Sequence, residues 1–278
     1  MTIERNPFKQ ALLARRLQIG LVLGLGDAYC ADLVGGADFD WLLIDGEHSP
    51  TDPRHVLAQL QVLAVHRAEP AFRPSGGEAP SAMTRWLDLG VRTLVVPMVD
   101  SARQAAEWVA ATRYPPTGRR GVGSALSRAA AWGRDDRHLA EADDAICVIA
   151  QIETPAGVEA AEAIARVDGI DGVLIGPSDL AATSGHRGAP DHPEVRSAIT
   201  TVITRTLAAG KAAGLFVGDP EAAARYAALG CTFLIVGTDT RVLARALDDT
   251  AGRFRAALGA AARDTSGPRT VTGSPATR

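Results

Sequence analysis

The sequence predicts an α/β fold of the (β/α)8 barrel class, and three observations predict it. Short runs that are almost entirely apolar, rich in Val, Ile and Leu, recur along the chain. That is the pattern of parallel strands covered on both faces. Segments with helical periodicity separate most of these runs, as a barrel requires. The rival fold, a doubly wound open sheet, calls for GxGxxG at the first strand–helix turn. The segment Gly20-Leu-Val-Leu-Gly-Leu-Gly26 has glycines without that spacing.

The strand candidates are Gln18–Leu25, Trp41–Asp45, Ala71–Arg73, Thr93–Met98, Ile146–Glu153, Gly172–Gly176, Ala212–Val217 and Thr232–Gly237. Helical periodicity covers Ser101–Arg113, Ala156–Arg166, Glu194–Ala209, Pro220–Leu229 and Arg241–Leu258. Asp219-Pro220 and Thr238-Asp239 supply helix-start signals. Met98 to Ile146 is too long for one helix and holds Pro115-Pro116 and the stretch Gly118 to Ser124, which predicts an active-site loop and an extra helix. Residues 1–258 are expected to form a single barrel. Residues 259–278, rich in Ser, Thr, Gly, Pro and Arg, are expected to be a poorly ordered tail.

Composition narrows the function. With 46% hydrophobic residues, the 278-residue chain can bury a sizeable core. A net charge of −3 and the lack of any basic block argue against a nucleic-acid partner. No apolar run approaches the ~20 residues of a membrane span, and Met1 to Lys9 lacks a signal-peptide core. Cys30, Cys147 and Cys231 are dispersed, as expected of reduced thiols in a cytoplasmic protein.

Barrel chemistry sits where strands end and βα loops begin. There the second strand brings Asp45-Gly46-Glu47-His48, the third Arg73, the fifth Gln151 and Glu153, and the sixth Gly176-Pro177-Ser178-Asp179. Glu153 and Asp179 leave neighbouring strands, where two bare carboxylates repel. A divalent cation resolves that conflict, and oxygen-only ligands suit Mg2+ or Mn2+. The plainer reading pairs each acid with an arginine. Gln151 and Glu153 share one side of a strand, so Gln151 either supports the site or fills the barrel. Asp45 and His48, three residues apart, read as an acid that orients a base, or as a loop histidine bonded to a carbonyl. Arg73 reads as an anion ligand or as the partner of Glu153 or Asp179. Backbone N–H groups of Arg119 to Ser124, including Gly123, either hold a substrate oxygen or belong to an exposed flexible loop.

The sequence has two lysines. Lys9 precedes the barrel and Lys211 precedes a strand, on the face opposite the chemistry. A Schiff base needs a desolvated lysine in the pocket, so carbonyl activation is expected from a metal acting as Lewis acid. Nothing suggests pyridoxal phosphate or NAD.

Leu42-Leu-Ile-Asp45-Gly-Glu-His48, Phe72-Arg-Pro-Ser75, Val95-Val-Pro-Met98, Arg113-Tyr-Pro-Pro116, Arg120-Gly-Val-Gly-Ser124, Gln151-Ile-Glu-Thr154 and Ile175-Gly-Pro-Ser-Asp-Leu180 together resemble the HpcH/HpaI class II aldolases. The resemblance runs from about Phe8 to Leu258. It implies a TIM barrel of the pyruvate/phosphoenolpyruvate-binding type. It implies Glu153 and Asp179 as ligands of Mg2+, Mn2+ or Co2+, Arg73 as the residue that stabilises the pyruvate enolate, and Asp45 with His48 as an acid/base dyad. It places Gln151, Gly176, Pro177 and Ser178 at the pyruvate site. It also implies a homohexamer, a dimer of trimers, that exchanges the final barrel helix between subunits.

Within that family, Arg120-Gly-Val-Gly-Ser-Ala125 points to cleavage of 4-hydroxy-2-oxoheptanedioate to pyruvate and succinic semialdehyde, a step of aromatic catabolism. Sister branches act on 2-keto-3-deoxy sugar acids. Two other classes are weighed against this. A phosphosugar isomerase wants an anion nest after strands 7 and 8, where this chain has Asp219 and Asp239 instead. A non-catalytic barrel that binds small acids has no need of the full acid, histidine and arginine set.

Overall fold

The computed structural model describes residues 6–264, with side chains through residue 259. Eight parallel strands close into a barrel in chain order: β1 (Gln18–Leu23), β2 (Trp41–Asp45), β3 (Glu69–Arg73), β4 (Thr93–Val96), β5 (Cys147–Ile152), β6 (Gly172–Ile175), β7 (Ala212–Phe216) and β8 (Phe233–Thr238). The sequence expectations differ from these bounds only at strand ends. Because β8 pairs with β1, no sheet edge remains exposed.

Continuous apolar runs conceal which residues point inward, and the packing reveals it. Leu42, Ile44, Phe72, Leu94, Val96, Val148, Ala150, Ile152, Val173 and Ile175 face the helices in one core. Their alternates Trp41, Leu43, Ala71, Val95, Cys147, Ile149 and Leu174 fill the barrel in another. Strand period two then carries the inward row on to Asp45, Arg73, Gln151 and Glu153 at the carboxyl ends. The polar site is the top layer of the barrel's own interior.

The helices from the start of the chain to β6 are α1 (Pro7–Leu13), α2 (Ala28–Gly35), α3 (Pro53–Leu63), α4 (Met83–Leu89), α5 (Ala102–Thr112), α6 (His138–Ala145) and α7 (Pro155–Ala165). After β6 come α8 (Pro177–Thr183), α9 (Pro193–Ala208), α10 (Pro220–Ala228) and α11 (Asp239–Asp264). Helices α1, α3, α7, α9 and α10 begin at a polar cap followed by proline, which satisfies free N–H groups and presets φ. Asp52 accepts from the N–H groups of Arg54 and His55, and Asp219 accepts from Ala222 N. The stretch after α5 does hold the expected extra helix, α6, behind an irregular loop.

Helix α1 is not apparent from sequence, because Met1 to Lys9 reads as polar. Asn6 caps it, Pro7 opens it, and Phe8 enters the barrel interior. The Phe8 ring lies 4.9 Å from Trp41 and 5.8 Å from Phe233. These aromatics close the amino end of the barrel, so the carboxyl end is left for chemistry.

The chain divides into two compact units, with the second starting at Thr240. Helix α11 continues to Asp264, into the stretch expected to be tail, and residues 265–278 lie outside the described residues. Leu243, Leu247, Phe254 and Leu258 share one face of α11 and are exposed.

Candidate active site

The strand register brings the first pair together. Asp45 on β2 sits opposite Arg73 on β3. The guanidinium grips the carboxylate with two bonds, Nε to Oδ1 at 3.0 Å and Nη2 to Oδ2 at 2.8 Å. Asp45 is buried and Arg73 mostly so, and such bidentate pairs fix orientation as well as charge. Asp45 Oδ1 also accepts from Glu47 N at 3.0 Å.

Asp45 bonds Arg73 and the loop backbone, and among the described residues no hydrogen bond or ion pair joins it to His48. The acid beside His48 is Glu47, whose Oε2 lies 3.7 Å from His48 Nε2 and 3.2 Å from Arg73 Nη1. The physical reason is strand parity. Asp45 is the last inward residue of β2, whereas His48 lies beyond the turn with its side chain 65% exposed. Arg73 pairs with Asp45 and Glu47, and among the described residues no ion pair joins it to Glu153 or Asp179, the partners of its plainer reading. Glu47 is absent from the candidates that sequence supplies, although an acid directly before a histidine at a strand end is an available signal. Burial raises the Glu47 carboxyl, and Arg73 partly offsets that rise.

Glu153 is the most perturbed acid of the site. It is 2% exposed, accepts from Met98 N at 3.1 Å and takes Gln151 Nε2 at 2.7 Å. Burial is the largest cause of its pKa rising from 4.5 to about 7; the Met98 N–H opposes the rise, and the charges of Asp179 and Glu47 add to it. Met98 makes its bond from a left-handed backbone, φ 54°, which a methionine adopts only under constraint. That residue, too, escapes sequence reading, since φ leaves no trace in composition.

Gly176 has a steric reason to be glycine. A Cβ there would lie 2.6 Å from Glu153 Oε1 and 2.9 Å from its Cγ. Gly176 caps α8, Pro177 opens it, and Ser178 and Asp179 stand exposed in its first turn. Thr183 Oγ1 lies 2.7 Å from Glu153 O and 2.8 Å from Asp179 O, tying the end of β5 to α8. Gln151 Oε1 is buried without a partner, an open acceptor beside the two acids.

The loop after α5 is only partly as expected. Arg120 does not face an open loop: it is 2% exposed, bonds Asp88 at 3.0 Å and lies over Tyr114, with 4.5 Å to the ring centre. Gly123 O accepts from Leu126 N and Ser127 N. Among the described residues, no hydrogen bond or ion pair joins Gly123 or Ser124 to Arg73, Glu153 or Asp179. Both lysines sit at the amino ends of strands: Lys9 Nζ bonds Ile146 O at 2.6 Å and Lys211 Nζ bonds Ile170 O at 2.7 Å. Asp239 accepts from Gly24 N and Leu25 N, and Asp219 caps α10. Each aspartate puts a carboxylate at a turn where a phosphate would need a positive nest, and Asp219 already occupies the Ala222 amide.

Comparison with known proteins places the chain in a family. Residues 18–246 match the HpcH/HpaI aldolase/citrate lyase family. The chain is 51% identical over 255 residues to a hydroxypyruvate/pyruvate aldolase of Pseudomonas aeruginosa, covering 92% of this chain and 95% of that one. It is 52% identical over 252 residues to a 4-hydroxy-2-oxo-heptane-1,7-dioate aldolase of Salmonella arizonae, covering 91% and 95%. A solved HpcH/HpaI aldolase/citrate lyase family protein of Burkholderia cenocepacia superposes with a TM-score of 0.86 at 38% identity, over 90% of this chain and 99% of that one.

Proposed function

The chain belongs to the HpcH/HpaI aldolase/citrate lyase family, and on that premise we propose how its barrel mouth works. It is a class II pyruvate aldolase, a carbon–carbon lyase. The reaction is reversible retro-aldol cleavage of a 4-hydroxy-2-oxo acid to pyruvate and an aldehyde. The substrate we favour is 4-hydroxy-2-oxoheptanedioate, which yields succinic semialdehyde. The observation that carries this reading is Glu153, a carboxyl buried beside a second acid and held near 7.

Such a pair suits a divalent cation. Burial, and after it the neighbouring acids, raise Glu153, and a positive ion would oppose that rise. The donor set is oxygen-only, which suits Mg2+, Mn2+ or Co2+ bound with waters and substrate. Glu153 and Asp179 would hold the ion, which when bound polarises the oxygens of the 2-oxo acid as a Lewis acid.

The chain's own residues do the rest. Gln151 orients Glu153. Gly176 keeps the space above it clear. Arg73 offers five N–H donors, of which Asp45 and Glu47 engage three, so one on each terminal nitrogen remains for substrate. Those two N–H groups meet the negative charge that develops on the keto oxygen as the C3–C4 bond breaks. A single preorganised donor of this kind is typically worth ~3–4 kcal/mol. His48, at the open rim beside Glu47, takes the proton of the C4 hydroxyl. Ser178, Gly123 and Ser124 are proposed to line the substrate. Asp45 acts through Arg73, holding its plane.

We also propose a homohexamer with α11 exchanged between subunits. The exposed apolar face of Leu243, Leu247, Phe254 and Leu258 supports it, and sedimentation of the intact chain tests it.

Condensation of pyruvate with succinic semialdehyde, in Mg2+ or Mn2+, tests the reaction. Product that disappears with EDTA is expected. The 51% identical relative is named for hydroxypyruvate as well, so that donor belongs in the same screen. Pyruvate binding without turnover on any aldehyde would overturn the enzyme reading in favour of a small-acid binding barrel.

A further inference from the structure

We propose that His186, His192 and Glu194 form a second metal site, separate from the strand-end acids and suited to Zn2+, Ni2+ or Cu2+. His186 lies just past α8, His192 caps α9 and Glu194 stands in its first turn. Strand β6 delivers α8 at its carboxyl end and α9 returns to the start of β7, so the trio stands on the catalytic face of the barrel, on the segment that carries Asp179.

One donor atom from each of the three side chains lies within 4.8 Å of the others. His186 Nε2 already touches Glu194 Oε2 at 2.7 Å. The two imidazoles stack with centres 3.6 Å apart and planes 15° from parallel. Small side-chain rotations therefore bring two nitrogens and one oxygen onto a single ion at the usual ~2.0–2.2 Å. Two imidazoles and a carboxylate favour zinc, nickel or copper, whereas Glu153 and Asp179 present oxygen alone. Water completes a four-coordinate shell.

Local structure alone does not account for the trio. Capping α9 needs one acceptor, and His192 Nδ1 is a long one, 3.3 Å from Glu194 N. The His186–Glu194 contact needs no second ring. Among the described residues, no lysine or arginine pairs with Glu194; its ion-pair partner is His186. The loaded site gives up the 3.3 Å cap bond and gains a link from the loop after α8 to α9. His186 N, bonded to Ala181 O at 2.7 Å, passes that link to the helix of Asp179.

The test is equilibrium dialysis of the metal-stripped full chain against Zn2+, with bound metal measured per chain. Two equivalents are expected for the wild type. His186→Ala, His192→Ala and Glu194→Gln should each bind one, and each should keep aldol activity in Mg2+. Glu153→Gln/Asp179→Asn should lose the other equivalent and keep a Zn2+-induced rise in thermal midpoint. That rise should vanish when His186→Ala is added. If the wild type binds one equivalent that survives His186→Ala and is lost with Glu153→Gln/Asp179→Asn, the trio is not a metal site. An unchanged second equivalent in all three trio variants would equally overturn it.

Discussion

Replacing Glu153 with glutamine should make the metal-free protein more stable at pH 8 and leave it nearly unchanged at pH 5. The folded protein holds the Glu153 carboxyl near 7, against 4.5 for the ordinary group. Between those values the folded state keeps a proton that the unfolded state releases. Stability therefore falls as pH rises through that window, and the loss is complete above the folded pKa. Each pKa unit is worth about 1.4 kcal/mol, so full ionisation costs about 3 kcal/mol. The substituted amide carries no charge and does not incur that cost. It can still accept from Met98 N, and it can donate to the unpartnered Gln151 Oε1 if the Gln151 side chain turns over. The assay is urea denaturation in EDTA at pH 5, 6, 7 and 8 for both proteins. Their difference in midpoint isolates this carboxyl from the rest. Adding Mn2+ at pH 8 should restore the wild type and leave the variant unmoved. Equal pH dependence of the two proteins in EDTA would refute the argument that an ionised, uncompensated Glu153 costs stability.

Other outcomes follow from the same geometry. Arg73→Lys should lose most aldol activity and most exchange of pyruvate methyl protons with D2O, both followed by NMR, because lysine cannot grip Asp45 and present two further donors; rapid exchange would remove Arg73 from that step. His48→Ala should lower aldol turnover by ~10²–10⁴ and reduce proton exchange less, and equal loss of the two would assign both proton transfers to His48. Asp45→Asn breaks a buried bidentate pair and should cost about 3–5 kcal/mol of stability in thermal or urea melts, along with activity; a stable, active variant would mean that Arg73 needs no anchor. Gly176→Ala places a methyl 2.6 Å from Glu153 Oε1 and should weaken Mn2+ binding in titration calorimetry, with unchanged affinity counting against the close approach.

The barrel itself is readable because its strands are short and its breaks are sharp. Trp41–Asp45 has the same bounds in sequence and structure, since Asp40 and Gly46 stop the apolar run on either side. Parity is harder to read. Leu42-Leu43-Ile44 is apolar on both faces, so no alternation shows that Asp45 points inward; that emerges only when Leu43 is found inside and Ile44 outside. The two acids of the proposed metal pair are legible as strand-end residues. Spacing along the chain does not show that Arg73 reaches Asp45, because three residues of separation between Asp45 and His48 say nothing about a neighbouring strand that delivers a guanidinium to the same carboxylate. Helix α8 goes unmarked, although Pro177 at its first position and Asp179 in its first turn are helix-start signals. At seven residues it is too short to show a periodicity.

The aromatic floor under the barrel has a consequence for the order in which the protein can be made. Phe8 leaves the ribosome before the first strand, and its partner Phe233 opens the last one. Until β8 emerges, β1 has one empty edge and Phe8 lacks part of its seat. The helix that carries Phe8 must therefore wait while seven strands are synthesised, at about 5–20 residues per second, before it can dock fully. Closing the ring and seating the plug are two halves of one late event, so the growing barrel carries an open sheet edge and an exposed aromatic until its final strand is in place.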